Sequence, residues 1–127
     1  MQEDRARLHV VHSIVHTSAD GKITSLTLSE PQDKETKSCF LTFSDKTEKI
    51  RLKLSMDETA GLAKSIEKQG NWEAYHTFEE QSTRMQYNDP FINATRGEKR
   101  IVVKFERDER ASFELALKHV FNKLCEK

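Results

Sequence analysis

The chain has 127 residues, enough for one domain with a single hydrophobic core. Hydrophobic residues make up 35% and charged residues 33%, so the core is economical and the surface ionic. Lysine plus arginine (21) equals aspartate plus glutamate (21), a balance that weighs against a uniformly basic nucleic-acid binder but allows a local patch.

Taken in chain order, Leu8 to Thr17 is rich in Val, Ile, Thr and His and predicts a strand. Gly21 to Ser29 predicts a second, joined through Ala19-Asp20-Gly21, where Asp-Gly suits a tight hairpin turn. Lys37 to Phe43 predicts a third, with Cys39, Leu41 and Phe43 on one face. Glu48 to Leu54 alternates most cleanly: Ile50, Leu52 and Leu54 point one way, Lys49, Arg51 and Lys53 the other. Ser55-Met56-Asp57-Glu58 is a capping box that opens a helix, with Thr59, Leu62, Ala63 and Ile66 on its apolar face and Gly70 as a left-handed stop. Trp72, Ala74, His76 and Phe78 then alternate as a half-buried strand, and Thr83 to Tyr87 follows. Asn88-Asp89-Pro90 breaks the chain, and Phe91 to Gly97 reads as a short edge strand or an ordered loop. Arg100 to Glu106 is a strand with Ile101, Val103 and Phe105 inward, and Asp108 opens a long final helix.

Residues 50–62 (IRLKLSMDETAGL) and 101–113 (IVVKFERDERASF) echo one another. Ile50/Ile101, Lys53/Lys104, Asp57/Asp108, Glu58/Glu109 and Ala60/Ala111 are identical, and both segments cross from a strand into a helix. Such an echo predicts an internal repeat. The expected fold is α+β: one domain, residues 1–127, with an antiparallel sheet from two tandem ββββα-like units, about 7–70 and 71–127, each ending in a helix.

A four-strand meander closed by a capped helix and then duplicated resembles the Whirly proteins, the positive-cofactor-four coactivators and the Pur-alpha repeat family. Residue by residue, the likeness lies in Lys49-Ile50-Arg51-Leu52-Lys53-Leu54-Ser55 and the acidic helix start after it. The resemblance implies single-stranded nucleic-acid binding, with sheets facing the polymer and helices serving the core or oligomer contacts.

The residues themselves offer a phosphate stripe, because Lys49, Arg51 and Lys53 project from one strand face at period 2. Arg100 and Lys104 extend it from the related strand, and Phe40, Tyr75 and Tyr87 are candidate stacking platforms. A wet antiparallel face also carries Lys and Arg simply for solubility and edge protection. On the last helix, Phe113, Leu117, Val120, Phe121 and Leu124 form an apolar stripe wide enough to predict burial against a second chain in a homodimer. An ordinary core helix presents the same stripe.

Catalysis finds no support: there is no nucleophile elbow and no Gly-rich phosphate loop, and acidic pairs such as Asp57/Glu58 and Asp108/Glu109 sit where helix dipoles favour them. His12 and His16 share a strand face but stand roughly 13 Å apart at about 3.3 Å per residue, so no metal and no cofactor is expected. The opening MQEDRARLHVVHSIVH lacks the form of a signal peptide, and no stretch approaches roughly 20 apolar residues, so a soluble intracellular protein with reduced Cys39 and Cys125 is expected. The leading functional reading is a non-enzymatic binder of single-stranded DNA or RNA with low sequence specificity. The alternative is a protein-interaction or assembly module that docks a partner through its sheet or C-terminal helix.

Overall fold

The computed structural model describes residues 7–78 and 80–127; Glu79 and the side chain of Phe78, expected to face inward, lie outside the described residues. Strands β1 (Leu8–Thr17), β2 (Ile23–Pro31), β3 (Ser38–Asp45) and β4 (Lys49–Ser55) form an antiparallel meander, followed by helix α1 (Met56–Glu67). Strands β5 (Asn71–Phe78), β6 (Gln81–Asn88), β7 (Phe91–Arg96) and β8 (Lys99–Lys104) form a second meander, followed by helix α2 (Glu109–Cys125). The fold is α+β, with two separate four-stranded sheets rather than one.

Local chemistry accounts for most boundaries. Gly21 adopts φ +84° in the β1–β2 hairpin, as Asp-Gly requires, and Gly97 adopts φ +61° between β7 and β8. Segment 91–96 is not an edge but an interior strand between β6 and β8, burying Ile92 and Ala94. Its alternation is hard to read because Asn93, on the opposite face, is also only 2% exposed. A bulge between Val10 and His12 turns Val10 outward and lets Val11 pack on the core.

Ladder registers in the two sheets run in step. In the first, His16 lies opposite Thr24 and Thr24 opposite Asp45; in the second, His76 lies opposite Thr83 and Thr83 opposite Arg96. Ile50 pairs with Phe43, and Ile101 with Ala94.

The capping box forms as read: Ser55 Oγ accepts from the Glu58 amide at 3.1 Å and Glu58 Oε1 from the Ser55 amide at 3.0 Å. Helix α1 buries Thr59, Leu62, Ala63 and Ile66, as its spacing predicts. Its exit differs, since Gln69 at φ +57° takes the left-handed position instead of Gly70, whose amide reaches back to the Ser65 carbonyl. Helix α2 follows Asp108, whose side chain makes no cap bond; Glu109 Oε1 accepts from the Glu106 amide at 2.8 Å, across the turn that leads into the helix.

These two glutamates also clasp the halves together. His76 Nε2 on β5 donates to Glu58 Oε2 on α1 at 2.8 Å, and His16 Nε2 on β1 donates to Glu109 Oε1 on α2 at 2.8 Å. Each helix start is thereby fastened to the first strand of the other sheet. Gly61 of α1 allows a related close approach, because a Cβ there would meet the Trp72 indole nitrogen on β5 at 2.9 Å.

One core joins both sheets and both helices. The helices pack on each other, α1 also against β5 and β6, α2 also against β1 and β2. Phe113, Leu117, Val120 and Leu124 are therefore 0% exposed within a single chain. The expected dimer face is corrected accordingly: the sequence reading allowed each helix one sheet, whereas α2 is covered by a helix and by strands of the other sheet. Phe121 is half-buried in a shallow groove beside Ala63 and Lys64, and the large apolar side chain that α2 leaves exposed is Leu115. Among the described residues, no helix is long and apolar enough to cross a membrane.

Candidate nucleic-acid interface

Strict alternation aims the β4 cations outward: Lys49, Arg51 and Lys53 are exposed, while Ile50, Leu52 and Leu54 are at most 2% exposed. Register with β3 places Ser44 beside Lys49, Thr42 beside Arg51 and Phe40 beside Lys53. Phe40 is half-buried, so this face offers one aromatic edge. Farther across, Ser29, Thr27 and Ser25 of β2 continue the face, and Ser13 of β1 bonds Thr27 between hydroxyls at 3.0 Å. The outer face of the first sheet is thus a hydroxyl-rich surface with a column of cations on its edge strand.

Arg100 and Lys104 do not extend that column. Their strand, β8, belongs to the other sheet, and β4 and β8 are not hydrogen-bonded neighbours. On the second sheet's outer face they meet different company. One row runs Tyr75, Arg84, Thr95, Arg100, and a second runs Asn88, Phe91, Lys104. Tyr75 is 64% exposed, with the Arg84 guanidinium 5.6 Å from its ring centroid. Phe91 is 44% exposed, with the Lys104 ammonium 5.9 Å from its ring. Arg84 is also held by Glu73, Nε to Oε2 at 2.6 Å. Among the described residues, Lys49, Arg51, Lys53, Arg100 and Lys104 form no ion pair.

Arg84 and Phe91 are candidates on this face that the sequence reading missed. The period-2 pattern of β6 puts Ser82, Arg84, Gln86 and Asn88 on the face opposite Thr83, Met85 and Tyr87, and would have found Arg84. Phe91 was hidden because its strand looked like a loop.

Tyr87 is corrected as a stacking platform: it is 0% exposed and faces inward, its ring 6.0 Å from that of Phe105. Its hydroxyl donates to Asp89, which also receives Arg110 Nε at 2.7 Å. Burial and the adjacent Asp89 carboxylate push the Tyr87 phenol well above its ordinary range. Asp89 is held below the usual carboxylate range: burial opposes this, but the Tyr87 hydroxyl and the Arg110 guanidinium outweigh it.

Other titratable groups serve the frame. Asp45 at the end of β3 receives Lys99 at the start of β8 at 2.5 Å, together with the amides of Thr47 and Glu48, and is driven far below the carboxylate range. Cys39 is buried against the Thr59 hydroxyl at 3.1 Å, and burial pushes its thiol up to about 11, which leaves it an unreactive core group. No family model matches the chain, and no curated protein matches it.

Proposed function

We propose that this chain is a non-enzymatic, single-stranded nucleic-acid-binding protein of low sequence specificity, built from two tandem ββββα-like units in the manner of the Whirly, positive-cofactor-four and Pur-alpha group. The observation that carries the reading is the second sheet's outer face, where exposed Tyr75 and Phe91 each lie beside a cation, Arg84 and Lys104. Aromatic faces accept any base by stacking, and neighbouring cations track the phosphates, which is how strands are held without reading sequence. The cations of β4 supply a second surface of the same kind, poorer in aromatics and richer in hydroxyls. A neutral total charge is compatible with this, since a binding surface can be local while carboxylates over the rest of the chain balance the total.

Fluorescence anisotropy with labelled single-stranded DNA and RNA oligomers at two salt concentrations tests the proposal. Binding that weakens steeply with salt is the expected result, because released counterions drive phosphate binding. Absence of binding at low salt overturns it.

A protein-docking module is the second reading, favoured by the exposed Val10, Val15 and Ile23 on β1 and β2. Docking through the last helix has lost its basis, because the apolar stripe of that helix is core. A docking module elutes free of nucleic acid on purification even at low salt.

A further inference from the structure

A cleft of about 360 Å³ lies where the edge strand β4 meets β5, β6 and β7, and it is lined by Arg51, Lys53, His76, Thr77, Thr83 and Arg96. Its two guanidiniums are anchored alike. Arg51 Nε donates to Thr42 Oγ1 at 3.0 Å, and Arg96 Nε donates to Thr83 Oγ1 at 2.8 Å. Arg96 Nη2 also donates to the Arg51 carbonyl at 3.2 Å, which binds the seam between the sheets and holds two like charges in one cleft.

Among the described residues, none of Arg51, Lys53 and Arg96 pairs with a carboxylate. Glu58 holds His76, and Glu48 lies in the adjoining groove with Lys99 3.8 Å away. Glu80 also lines that groove. Mutual repulsion of the three cations raises the energy of the empty cleft, and an anion between them would remove it. The fold does not require this charge. At the register position of Arg96 in the other sheet stands Asp45, and Lys99 neutralises it.

We infer that this cleft is a phosphate-binding site. Arg51, pinned through Nε, leaves both terminal nitrogens for phosphate oxygens, Arg96 leaves its Nη1, and Lys53 adds a point charge. A guanidinium fixed before binding loses little rotamer freedom when the ligand arrives, so two of them favour a tetrahedral oxyanion over a monovalent counterion. The phosphate belongs either to a free phosphorylated ligand or to the backbone of a strand leaving the outer face of the first sheet. The cleft geometry alone carries the site; only the backbone source rests on the nucleic-acid reading.

The test is an amide chemical-shift titration of the full chain with inorganic phosphate, against sodium chloride at matched ionic strength. Wild type is expected to give saturable shifts confined to residues 51–53, 76–77, 83 and 96. Arg51→Gln and Arg96→Gln are each expected to weaken binding about tenfold, the worth of one charge-assisted hydrogen bond, while Lys22→Gln on the β1–β2 hairpin leaves it unchanged. Shifts reproduced by chloride, or an affinity unaltered in Arg51→Gln, overturn the site. Arg51 is exposed, so its variant decides the matter should Arg96→Gln fail to fold. Adding a single-stranded oligothymidylate then separates the sources: released phosphate assigns the site to a strand backbone, retained phosphate to a free ligand. Because the first arm contains no nucleic acid, its result stands whether or not the oligomers bind in anisotropy.

Discussion

The two halves of the molecule share strand order, ladder register and a glutamate in the first helical turn that accepts from the amide three residues before it and clasps a histidine of the other sheet. They differ in what decorates that frame. The first half presents hydroxyls and a cation column, and the second presents aromatic–cation pairs. Capping differs as well, since Ser55 bonds the helix start of α1 while Asp108 makes no side-chain cap bond at that of α2. The inward faces are therefore alike because one core must be filled from both sides, and the outward faces are under no such constraint. Surface chemistry is where function can diverge within a common frame.

The largest test of this comparison is in the core. Phe113→Ala on α2 is expected to cost about 3–5 kcal/mol and Leu62→Ala on α1 about 2–5 kcal/mol, both residues being 0% exposed. Chemical denaturation reads both losses, and neither midpoint should move with protein concentration. A concentration dependence for Phe113→Ala alone would reinstate α2 as an oligomer face.

Next come the two outer faces. Replacing Arg51 and Lys53 together by Ala is expected to leave the fold intact and to reduce the slope of log affinity against log salt by about 1.4, two phosphate contacts on a single strand. Replacing Arg100 and Lys104 should do the same, while Tyr75→Ala should cost about 1–3 kcal/mol of binding with no change of slope. Loss confined to one pair would assign the strand to a single sheet.

The helix starts offer a smaller contrast. Ser55→Ala is expected to cost about 0.5–2 kcal/mol, and Asp108→Ala to stay within about 0.5 kcal/mol, because only the first side chain makes a cap bond. Equal losses would show that Asp108 acts through the dipole instead.

The smallest effect is acid sensitivity at one seam. The folded state depresses the Asp45 pKa, chiefly through Lys99, so this pair stabilises fully above the ordinary carboxylate value of about 3.9, and its contribution is lost progressively as pH falls from there to the depressed folded value. Urea midpoints at neutral and acid pH should lie closer together in Asp45→Asn than in wild type. The corresponding Arg96 stays charged throughout, so Arg96→Gln should leave the acid dependence unchanged.

Much of this was legible in the sequence because it is local. Alternation in Lys49 to Leu54 fixed which side chains face out, and the Ser55–Glu58 box marked the helix start. Phe91 was passed over because Asn93, buried on the face opposite Ile92 and Ala94, blurs period 2 in β7. Tyr87 was misread although β6 alternates cleanly, with Tyr87 on the same face as Met85. The echo of 50–62 in 101–113 could not be followed further back: Gln32 to Lys37 separates β2 from β3, whereas only Asp89 and Pro90 join β6 to β7. Unequal links shift the numbering, so His16 and His76, or Asp45 and Arg96, match only once the ladders are paired.

By itself the sequence determined the order of strands and helices, their inward faces and the cations of β4, since periodicity and caps act within a few residues. The tertiary structure alone decided that there are two sheets, that α2 spends its stripe on the other half, and that Arg51 and Arg96 share a cleft. Those outcomes depend on contacts between residues 45 or more positions apart, which are set by how two amphipathic layers cover each other and leave no periodic trace in either segment.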